Sequence, residues 1–379
     1  MTTRRLVLLA LLFASGLVLS FSGALTLYAQ SVPQYSVDAA WPKPLPNNWV
    51  MGQVGGMVVD SQDRIWVFQR PRSLTEDERG AELTPPVSEC CKAAPSVLVF
   101  DRAGNLVKSW GGPGVIPNWV ASEHALYVDR AGNVWLAGNQ AAMPNVPEDR
   151  QILKFSNDGK LLASYGRTVD GPDNNQATDY FGRIASFDAD EAAGELYAAD
   201  GYGNRRVVVI DMNTGTVKRG WGAYGIPLAE ISNATLPAYT PGQMPAKQFL
   251  GPVHCVKLSR DGFVYVCDRT SNRVQVFTKQ GKFVKEFFVA PNTRANGAAW
   301  TVNLSSDAQQ RYLLVGDGRN NVIWILNRDD GKVVGSFGRN GRSAGQFHWL
   351  HAVVSDSQGN LYTGEVDTGK RIQKFTLRK

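Results

Sequence analysis

The sequence has few of the residues that usually carry chemistry, with four histidines and four cysteines among 379 residues. Four cysteines in so long a chain do not make a disulfide scaffold. A stripe of one charge is also lacking, because the 40 Lys and Arg are scattered among 34 Asp and Glu. The formal net charge of +6 therefore does not indicate a nucleic-acid interface, and we expect no nucleic-acid partner.

Acidic residues are absent from the first 29 positions. Arg4 and Arg5 precede an apolar run from Leu6 to Leu27, and small residues follow near Ala29. This pattern predicts an export signal over residues 1–29, so we expect a periplasmic or secreted, soluble, monomeric protein. The apolar run is long for a signal, and the alternative is an uncleaved leader that anchors the chain to the membrane.

Short strands fill the rest of the chain, and the stretch from Gly251 to Phe287 shows their arrangement. Alternating apolar runs at His254–Leu258, Phe263–Cys267 and Val274–Phe277, with a fourth near Phe283–Phe287, are separated by turn residues. The pattern predicts four antiparallel strands joined by tight turns. One such sheet cannot bury both of its faces, so it implies neighbours of the same kind.

Five further stretches repeat this design, from GGMVVDSQDRIWVFQR at Gly55 to LHAVVSDSQGNLYTGEVDTGKRIQKFTL at the end of the chain. Six such repeats predict an all-β fold, a six-bladed β-propeller over residues 30–379. A stacked solenoid is the weaker alternative, because neither end has a polar capping repeat. The sixth repeat ends after three strands, so we expect the segment Gln34–Trp41 to supply its outer strand and close the ring.

Two insertions interrupt the compact repeats, at residues 71–95 and 223–250. Both lack strand patterning, and we expect both to lie over one mouth of the central channel, where loops usually carry binding. Cys255 and Cys267 flank a predicted hairpin, so either a cross-strand disulfide or two buried thiols would fit there. The state of Cys90 and Cys91, within the first insertion, is left open.

Three of the four histidines occupy the same place in the repeat. His124, His254 and His351 stand at the start of the innermost strands of repeats two, four and six. Alternate blades of a six-fold ring are a third of a turn apart, so the three imidazoles should converge on the central axis. Three neutral imidazoles with an open position are the ligands of a catalytic zinc. His348 is out of register and is expected in a solvated loop.

Two further residues should share this mouth of the channel. Arg70 ends the second strand of the first repeat, and Tyr202 follows the second strand of the third in the run DGYGNRR. A tyrosine beside a cation and a metal ion ionises more easily than a free phenol, so Tyr202 is a candidate base.

At these residues the chain resembles peptidylamidoglycolate lyase (peptidyl-α-hydroxyglycine α-amidating lyase), a six-bladed propeller of the NHL-repeat type. The resemblance extends from about Trp49 to the C-terminus. It implies that Arg70 and Tyr202 are catalytic and that the three histidines bind zinc. It also implies cleavage of the C–N bond of a peptidyl-α-hydroxyglycine, or a similar carbinolamide, into an amide and glyoxylate.

The sequence departs from that family at three places. Ala352 stands where the family has an aspartate that helps to bind a structural calcium, with the backbone carbonyls of Met57 and Leu126 as the other expected ligands. Calcium is therefore doubtful. Trp349 replaces a methionine that lines the family's site, and Gly203 replaces a cysteine of the disulfide in the tyrosine loop.

Other functions remain open at this point. The chain shows no second set of histidines for copper, so we expect only the second half of an amidation, on a peptide or small-molecule substrate made elsewhere. The main alternative is a non-catalytic NHL-repeat propeller that binds a protein or glycan partner at the channel mouth. A calcium-dependent lactonase is less favoured, because the strand starts lack the required Glu, Asp and Asn.

Overall fold

The computed structural model describes residues 32–168 and 171–378, so the predicted export signal lies outside the described residues. In chain order the strands are β1 (Tyr35–Asp38), β2 (Trp49–Val50), β3 (Gln53–Val59), β4 (Ile65–Arg70), β5 (Lys92–Ala93), β6 (Val97–Phe100), β7 (Leu106–Trp110), β8 (Glu123–Val128), β9 (Val134–Gly138), β10 (Ile152–Phe155), β11 (Leu161–Tyr165), β12 (Ile184–Asp190), β13 (Glu195–Asp200), β14 (Arg206–Asp211), β15 (Val217–Trp221), β16 (Val253–Leu258), β17 (Phe263–Asp268), β18 (Arg273–Thr278), β19 (Phe283–Phe288), β20 (Thr301–Leu304), β21 (Tyr312–Asp317), β22 (Val322–Asn327), β23 (Val333–Phe337), β24 (Leu350–Ser355), β25 (Leu361–Glu365) and β26 (Ile372–Leu377). Short 3₁₀ helices occupy Pro71–Ser73, Asp77–Glu82, Ala223–Gly225, Leu228–Glu230 and Arg269–Ser271.

All of these strands except β2 and β5 form six four-stranded antiparallel sheets, each a blade. The first five blades are β3-β4-β6-β7, β8–β11, β12–β15, β16–β19 and β20–β23, and the sixth is β24-β25-β26 with β1 at its outer edge. The innermost strands contact one another in cyclic order, from β3 through β8, β12, β16, β20 and β24 back to β3. The predicted six-bladed propeller is therefore confirmed.

The ring closes by the predicted exchange of an N-terminal strand. β1 pairs antiparallel with β26, Tyr35 opposite Leu377 and Asp38 opposite Lys374. The last blade thus receives its fourth strand from the start of the propeller, and the two ends of the fold are tied together by backbone hydrogen bonds. Closure in this way completes the sixth blade, whose outer edge is the short strand β1.

The turn that follows an inner strand is built around a buried carboxylate. Asp60 accepts hydrogen bonds from backbone amides within its own turn and from the indole Nε1 of Trp66 at 2.8 Å. Asp129 accepts in the same way from Trp135 at 3.1 Å. Because a buried carboxylate needs such partners, the repeated Asp and Gly of the sequence mark this turn rather than a catalytic site.

The loop that follows a second strand is held by a buried ion pair in two neighbouring blades. Asp200 pairs with Arg206 at 2.8 Å and Asp268 with Arg273 at 2.9 Å, and all four side chains are fully buried. Asp200 also accepts from the side-chain amide of Asn204 in its own loop. Both carboxylates accept from a backbone amide in the segment before the inner strand, Gly182 for Asp200 and Gly251 for Asp268. These pairs fix the two loops that carry residues of the site described below.

Both insertions lie at the same mouth of the channel as Tyr202. Arg72 of the first donates to the carbonyls of Val120 and Ala121, in the loop that leads to β8. Ser232 and Ala234 of the second accept from Arg205, next to the tyrosine loop. The sequence pattern predicts no strand in residues 71–95, but β5 lies there and pairs in parallel with β2. A two-residue strand is too short for periodicity to reveal.

All four cysteines form disulfide bonds. Cys255 and Cys267 are directly opposite on β16 and β17 and are bonded, which resolves the alternative that the sequence leaves open. Cys90 and Cys91 are bonded to each other in the first insertion.

Candidate metal centre

The three predicted histidines each occupy a β-bulge. The pairing of the first two strands slips by one residue at His124, at His254 and at His351, so each of these residues has no partner on the neighbouring strand. Blades 1 and 3 have the same slip at Gly55 and Ala185. A bulge turns its extra residue out of the regular alternation, which here aims the side chain at the channel axis.

Backbone carbonyls of the next odd-numbered blade fix the orientation of two of these imidazoles. Nδ1 of His124 lies 2.8 Å from the carbonyl oxygen of Ala185, and Nδ1 of His254 lies 2.6 Å from that of Trp300. A carbonyl can only accept, so both rings carry their proton on Nδ1 and present the lone pair of Nε2 to the axis. This second contact is the usual support of a metal-ligating histidine.

The third imidazole, His351, faces the backbone of Val54 and Gly55 in blade 1, whose hydrogen-bonding influence raises its pKa slightly. Its Nδ1 is buried and has no hydrogen-bond partner of good geometry. Burial, followed by the charges of Arg70 and Arg269, outweighs the backbone and lowers the pKa of His351 to about 3. The ring is therefore neutral at physiological pH.

The other two imidazoles are neutral for similar reasons. Burial is the main cause that lowers the pKa of His124 well below its usual value, with His351 and Arg70 adding to it. Burial followed by Arg269 does the same for His254. Neutral imidazole is the form that binds a metal ion.

The spacing of the three rings suits a shared ion. Their centroids lie 4.8–5.4 Å apart, and one ligand atom from each ring lies within 4.8 Å of the others. A point within about 2.8 Å of all three atoms therefore exists, so each needs to move by less than about 1 Å to reach the 2.0–2.1 Å of a Zn–N bond. All three residues are at most 5% exposed. They form a group that could hold a metal ion.

Tyr202 meets this group directly. Its hydroxyl lies 2.9 Å from Nε2 of His124 and 3.0 Å from Nε2 of His254. The two contacts bring the phenol oxygen to the side of the imidazoles on which a metal ion and its ligand would lie. The sequence placed Tyr202 near this mouth, and the structure brings it within hydrogen-bonding distance of two histidines.

Arg70 approaches from blade 1. Its Nε donates to the carbonyl of Glu123 at 2.7 Å, Nη1 to Oε1 of Gln53 at 2.8 Å and Nη2 to Oδ1 of Asn139 at 3.2 Å. These acceptors are all neutral, so none of them cancels its charge. Burial lowers the pKa of Arg70, whereas the nearby Tyr202 acts in the opposite direction. The arginine thus acts on the tyrosine through its charge rather than through a direct hydrogen bond.

A second arginine, Arg269, belongs to the site and is not among the residues predicted from the sequence. Its guanidinium carbon lies 4.4 Å from the ring centroid of Trp300 and 5.9 Å from that of Tyr202. Its charge lowers the pKa of both His254 and His351. Its Nε is buried and has no hydrogen-bond partner, whereas the residue as a whole is only partly buried.

The repeat contains a signal for this arginine. Asp268 pairs with Val253, the residue just before the bulge of its blade's inner strand, as Gln69 pairs with Val54 just before the bulge of blade 1. Arg269 directly follows Asp268, as Arg70 follows Gln69. Blades 1 and 4 are opposite in a six-membered ring, so the two guanidinium groups approach the axis from opposite sides.

The remaining predicted residues lie around this centre. Trp349 packs against Trp300 with ring centroids 5.8 Å apart, and Trp300 in turn contacts His254 and His351. His348 is half-buried in a loop, where it contacts Thr368 and Asn340 instead of the other histidines. The channel continues beyond the imidazoles, away from Tyr202, as a cavity of about 550 Å³.

The expected calcium ligands lie along that part of the channel. Met57, Leu126 and Ala352 all line it, and Ala352 packs in an apolar cluster with Met57. Among residues 32–168 and 171–378, the three histidines are the one cluster of His, Cys, Asp or Glu that could hold a metal ion. Calcium therefore stays a prediction, with Ala352 where the resemblance would place the carboxylate ligand.

Gly203 has no room for the side chain that the resemblance would place there. A Cβ atom on this residue would lie 2.1 Å from Oδ1 of Asp173. A carboxylate from a neighbouring loop thus occupies the space beside the tyrosine loop.

Fold and site together define a six-bladed β-propeller with a buried three-histidine group at its centre. Peptidyl-glycine alpha-amidating monooxygenase B of Xenopus laevis is 25% identical over 363 residues, which cover 90% of this chain and 35% of that protein. The monooxygenase of Mus musculus is 25% identical over 343 residues, covering 86% of this chain and 30% of that protein. The chain spans about a third of the length of these relatives. The resemblance to the amidating enzymes is confirmed.

No family model matches the chain. Among solved structures, a streptogramin B lyase superposes with a TM-score of 0.52 and 13% sequence identity, over 92% of this chain and 98% of that one. At this identity the similarity concerns the fold alone. No helix within residues 32–168 and 171–378 is both long and apolar enough to span a membrane.

Proposed function

We propose that the chain is an exported, zinc-dependent lyase that cleaves the C–N bond of a peptidyl-α-hydroxyglycine, or a similar carbinolamide, to an amide and glyoxylate. The observation that carries the proposal is the phenol oxygen of Tyr202, 2.9 and 3.0 Å from Nε2 of two buried histidines. A structural tyrosine has no need of two imidazoles, whereas a base must lie beside the group that activates its substrate.

His124, His254 and His351 would hold the zinc ion through Nε2, since their Nδ1 atoms face backbone in the odd-numbered blades. When bound, zinc supplies a Lewis acid that makes the hydroxyl group of the carbinolamide more acidic.

Tyr202, as the phenolate, takes the proton of that hydroxyl. The oxygen's electron pair forms the carbonyl of glyoxylate, and the C–N bond breaks. The nitrogen leaves with the bonding pair and receives the proton back from Tyr202, so the tyrosine ends as it began. Arg70 stabilises the phenolate and the developing negative charge, because its own hydrogen-bond acceptors are neutral.

Arg269 would bind the carboxylate of the substrate. Its guanidinium is positively charged and only partly buried, and a carboxylate is the strongest acceptor that a glycine-derived substrate offers. Its position above Trp300 directs the carboxylate toward the histidines from the side opposite Arg70.

The substrate is a peptide or a small molecule, and no nucleic-acid partner is proposed. We propose a monomer that acts in the periplasm or outside the cell, with an uncleaved leader as its one route to a membrane.

The test combines metal analysis with a glyoxylate assay. Purified protein should contain about one zinc per chain and release glyoxylate from α-hydroxyhippurate. Tyr202→Phe should lower kcat by at least about 100-fold and keep its zinc, because it removes the base and none of the three imidazoles. Zinc-replete wild-type protein that leaves such substrates intact would refute the lyase and favour the non-catalytic propeller.

A further inference from the structure

Four charged residues form a closed ring beneath the loop that carries Tyr202. Glu148 pairs with Arg150 at 2.7 Å and with Arg183 at 3.0 Å. Asp173 pairs with Arg183 at 2.9 Å and with Arg150 at 3.5 Å. Each carboxylate thus lies between the same two guanidinium groups. We call this group the ionic clamp.

The clamp joins loops that are distant in sequence. Glu148 and Arg150 lie between β9 and β10, whereas Asp173 and Arg183 lie between β11 and β12. The side chains of Arg150, Glu148 and Arg183 are 1%, 9% and 15% exposed. Ion pairs so buried are screened little by solvent, and removing one partner leaves another buried charge uncompensated.

Arg183 connects the clamp to the tyrosine. Its Nη2 donates to the backbone carbonyl of Tyr202 at 3.2 Å. Its own carbonyl accepts from the amide of Tyr202 at 3.2 Å, and the carbonyl of Gly182 accepts from the amide of Gly203 at 2.7 Å. The carboxylate of Asp173 fills the space beside Gly203. Both peptide groups that flank Tyr202 are therefore held.

The backbone of Arg183 indicates that its side chain is needed. Its φ of +66° lies in the left-handed region, which glycine adopts freely and an arginine adopts only at a steric cost. A glycine here would relax the backbone, so the arginine is best explained by what its guanidinium contacts.

We infer that Arg183, held by Glu148 and Asp173, is a positioning residue that keeps the hydroxyl of Tyr202 between His124 and His254. This inference rests on the proposed function for its kinetic consequences. Arg183 touches no substrate atom in this scheme and acts through the backbone of the tyrosine. A shift of about 1 Å in a reacting group can cost 100-fold in rate, so loss of the clamp should lower kcat.

The test compares Arg183→Gly with Arg167→Ala. Arg167 lies in the same loop and pairs with Asp179, but both of those side chains are more than half exposed, so it serves as the matched control. Arg183→Gly should lower kcat about 10- to 100-fold with KM and zinc content little changed, whereas Arg167→Ala should stay within about twofold of the wild type. Arg183→Lys should recover part of the loss, because one ammonium group cannot reach both carboxylates and the Tyr202 carbonyl.

Two further measurements separate positioning from general destabilisation. Hydrogen exchange at the amides of Tyr202 and Gly203 should become faster in Arg183→Gly and not in Arg167→Ala. The double variant Arg183→Gly with Tyr202→Phe should have the kcat of Tyr202→Phe alone, because the first change acts through the second residue.

An Arg183→Gly variant with the kcat and the hydrogen-exchange rates of the wild type would overturn the inference. Additive losses of kcat in the double variant would also overturn it. If the wild type lacks lyase activity, the proposed function fails and the exchange measurement still decides whether the clamp holds the tyrosine loop.

Discussion

The same position of the inner strand has opposite roles in alternate blades. Five residues before the start of the turn that follows the inner strand, blades 1 to 6 have, in order, Gly55, His124, Ala185, His254, Trp300 and His351. The even-numbered blades supply imidazoles, and blades 3 and 5 supply backbone carbonyls to the Nδ1 atoms of His124 and His254. The bulge is therefore a feature of the propeller fold, because it also occurs in blades without a histidine. The histidine side chains on the bulges of blades 2, 4 and 6 form the candidate metal centre.

The strongest test of this difference between even- and odd-numbered blades is to remove one imidazole. His254→Ala should lose the bound zinc and lower the rate of glyoxylate release by at least about 10³-fold, because several kcal/mol of charge stabilisation depend on the metal. Metal analysis and a glyoxylate assay on the purified variant measure both effects.

The matched change in an odd-numbered blade is Ala185→Gly. It removes a methyl group but keeps the carbonyl that accepts from His124. We expect zinc to be retained, with a loss of about 0.5–1 kcal/mol in the free energy of unfolding. Equal zinc loss in both variants would contradict the division of roles between the blades.

An effect smaller than that of His254→Ala is expected at the bulge of blade 1. A Cβ on Gly55 would lie 2.1 Å from the carbonyl oxygen of Glu123, the residue before His124. Gly55→Ala should therefore force blades 1 and 2 apart and destabilise the protein by about 1–3 kcal/mol. Urea unfolding measures the loss.

Gly114→Ala serves as the comparison for this steric argument, because the space around Gly114 is open, although its φ of +77° adds strain of its own. A Gly55→Ala variant as stable as the wild type would show that blades 1 and 2 do not need this close approach.

Much of this architecture could be predicted from the sequence because it depends on local patterns. Alternating apolar runs and Asp-Gly turns predicted the strands, and the spacing of three histidines predicted their convergence. The role of the N-terminal strand in the sixth blade was predicted because the last repeat has three strands and a blade needs four. Each inference needed only the period of a strand and the symmetry of a ring.

What could not be predicted depends on contacts between distant loops. Arg269 corresponds in the repeat to Arg70, but it stands in DRTSNR, which reads as an ordinary turn, and the packing of its side chain on Trp300 places it in the site. The ionic clamp joins residues from separate loops, with Glu148 and Arg183 35 positions apart in the sequence. The bulges are shifts in strand register, which no local pattern reveals.

The last expected effect concerns pH, and it distinguishes the buried imidazole of His351 in the site from the half-buried imidazole of His348 outside it. Burial lowers the pKa of His351 to about 3 in the folded protein, whereas an unfolded histidine titrates near 6.5. Between these values the unfolded chain holds a proton that the folded chain lacks. The contribution of this histidine to stability is therefore lost as the pH falls from about 6.5 toward 3.

As the pH falls, the free energy of unfolding of the metal-free wild type should decrease by up to about 1.4 kcal/mol per pH unit more than that of His351→Gln. Urea unfolding of both proteins at pH 7, 6 and 5 measures this difference. Asp149 and Glu365 act in the opposite direction, because burial raises their pKa values to about 6 and 7. Both carboxyls are present in the two proteins, so the difference between the curves isolates His351. His348→Gln should flatten the curve less, since His348 is only partly buried. Parallel curves for wild type and His351→Gln would mean that the imidazole is protonated in the folded, metal-free protein.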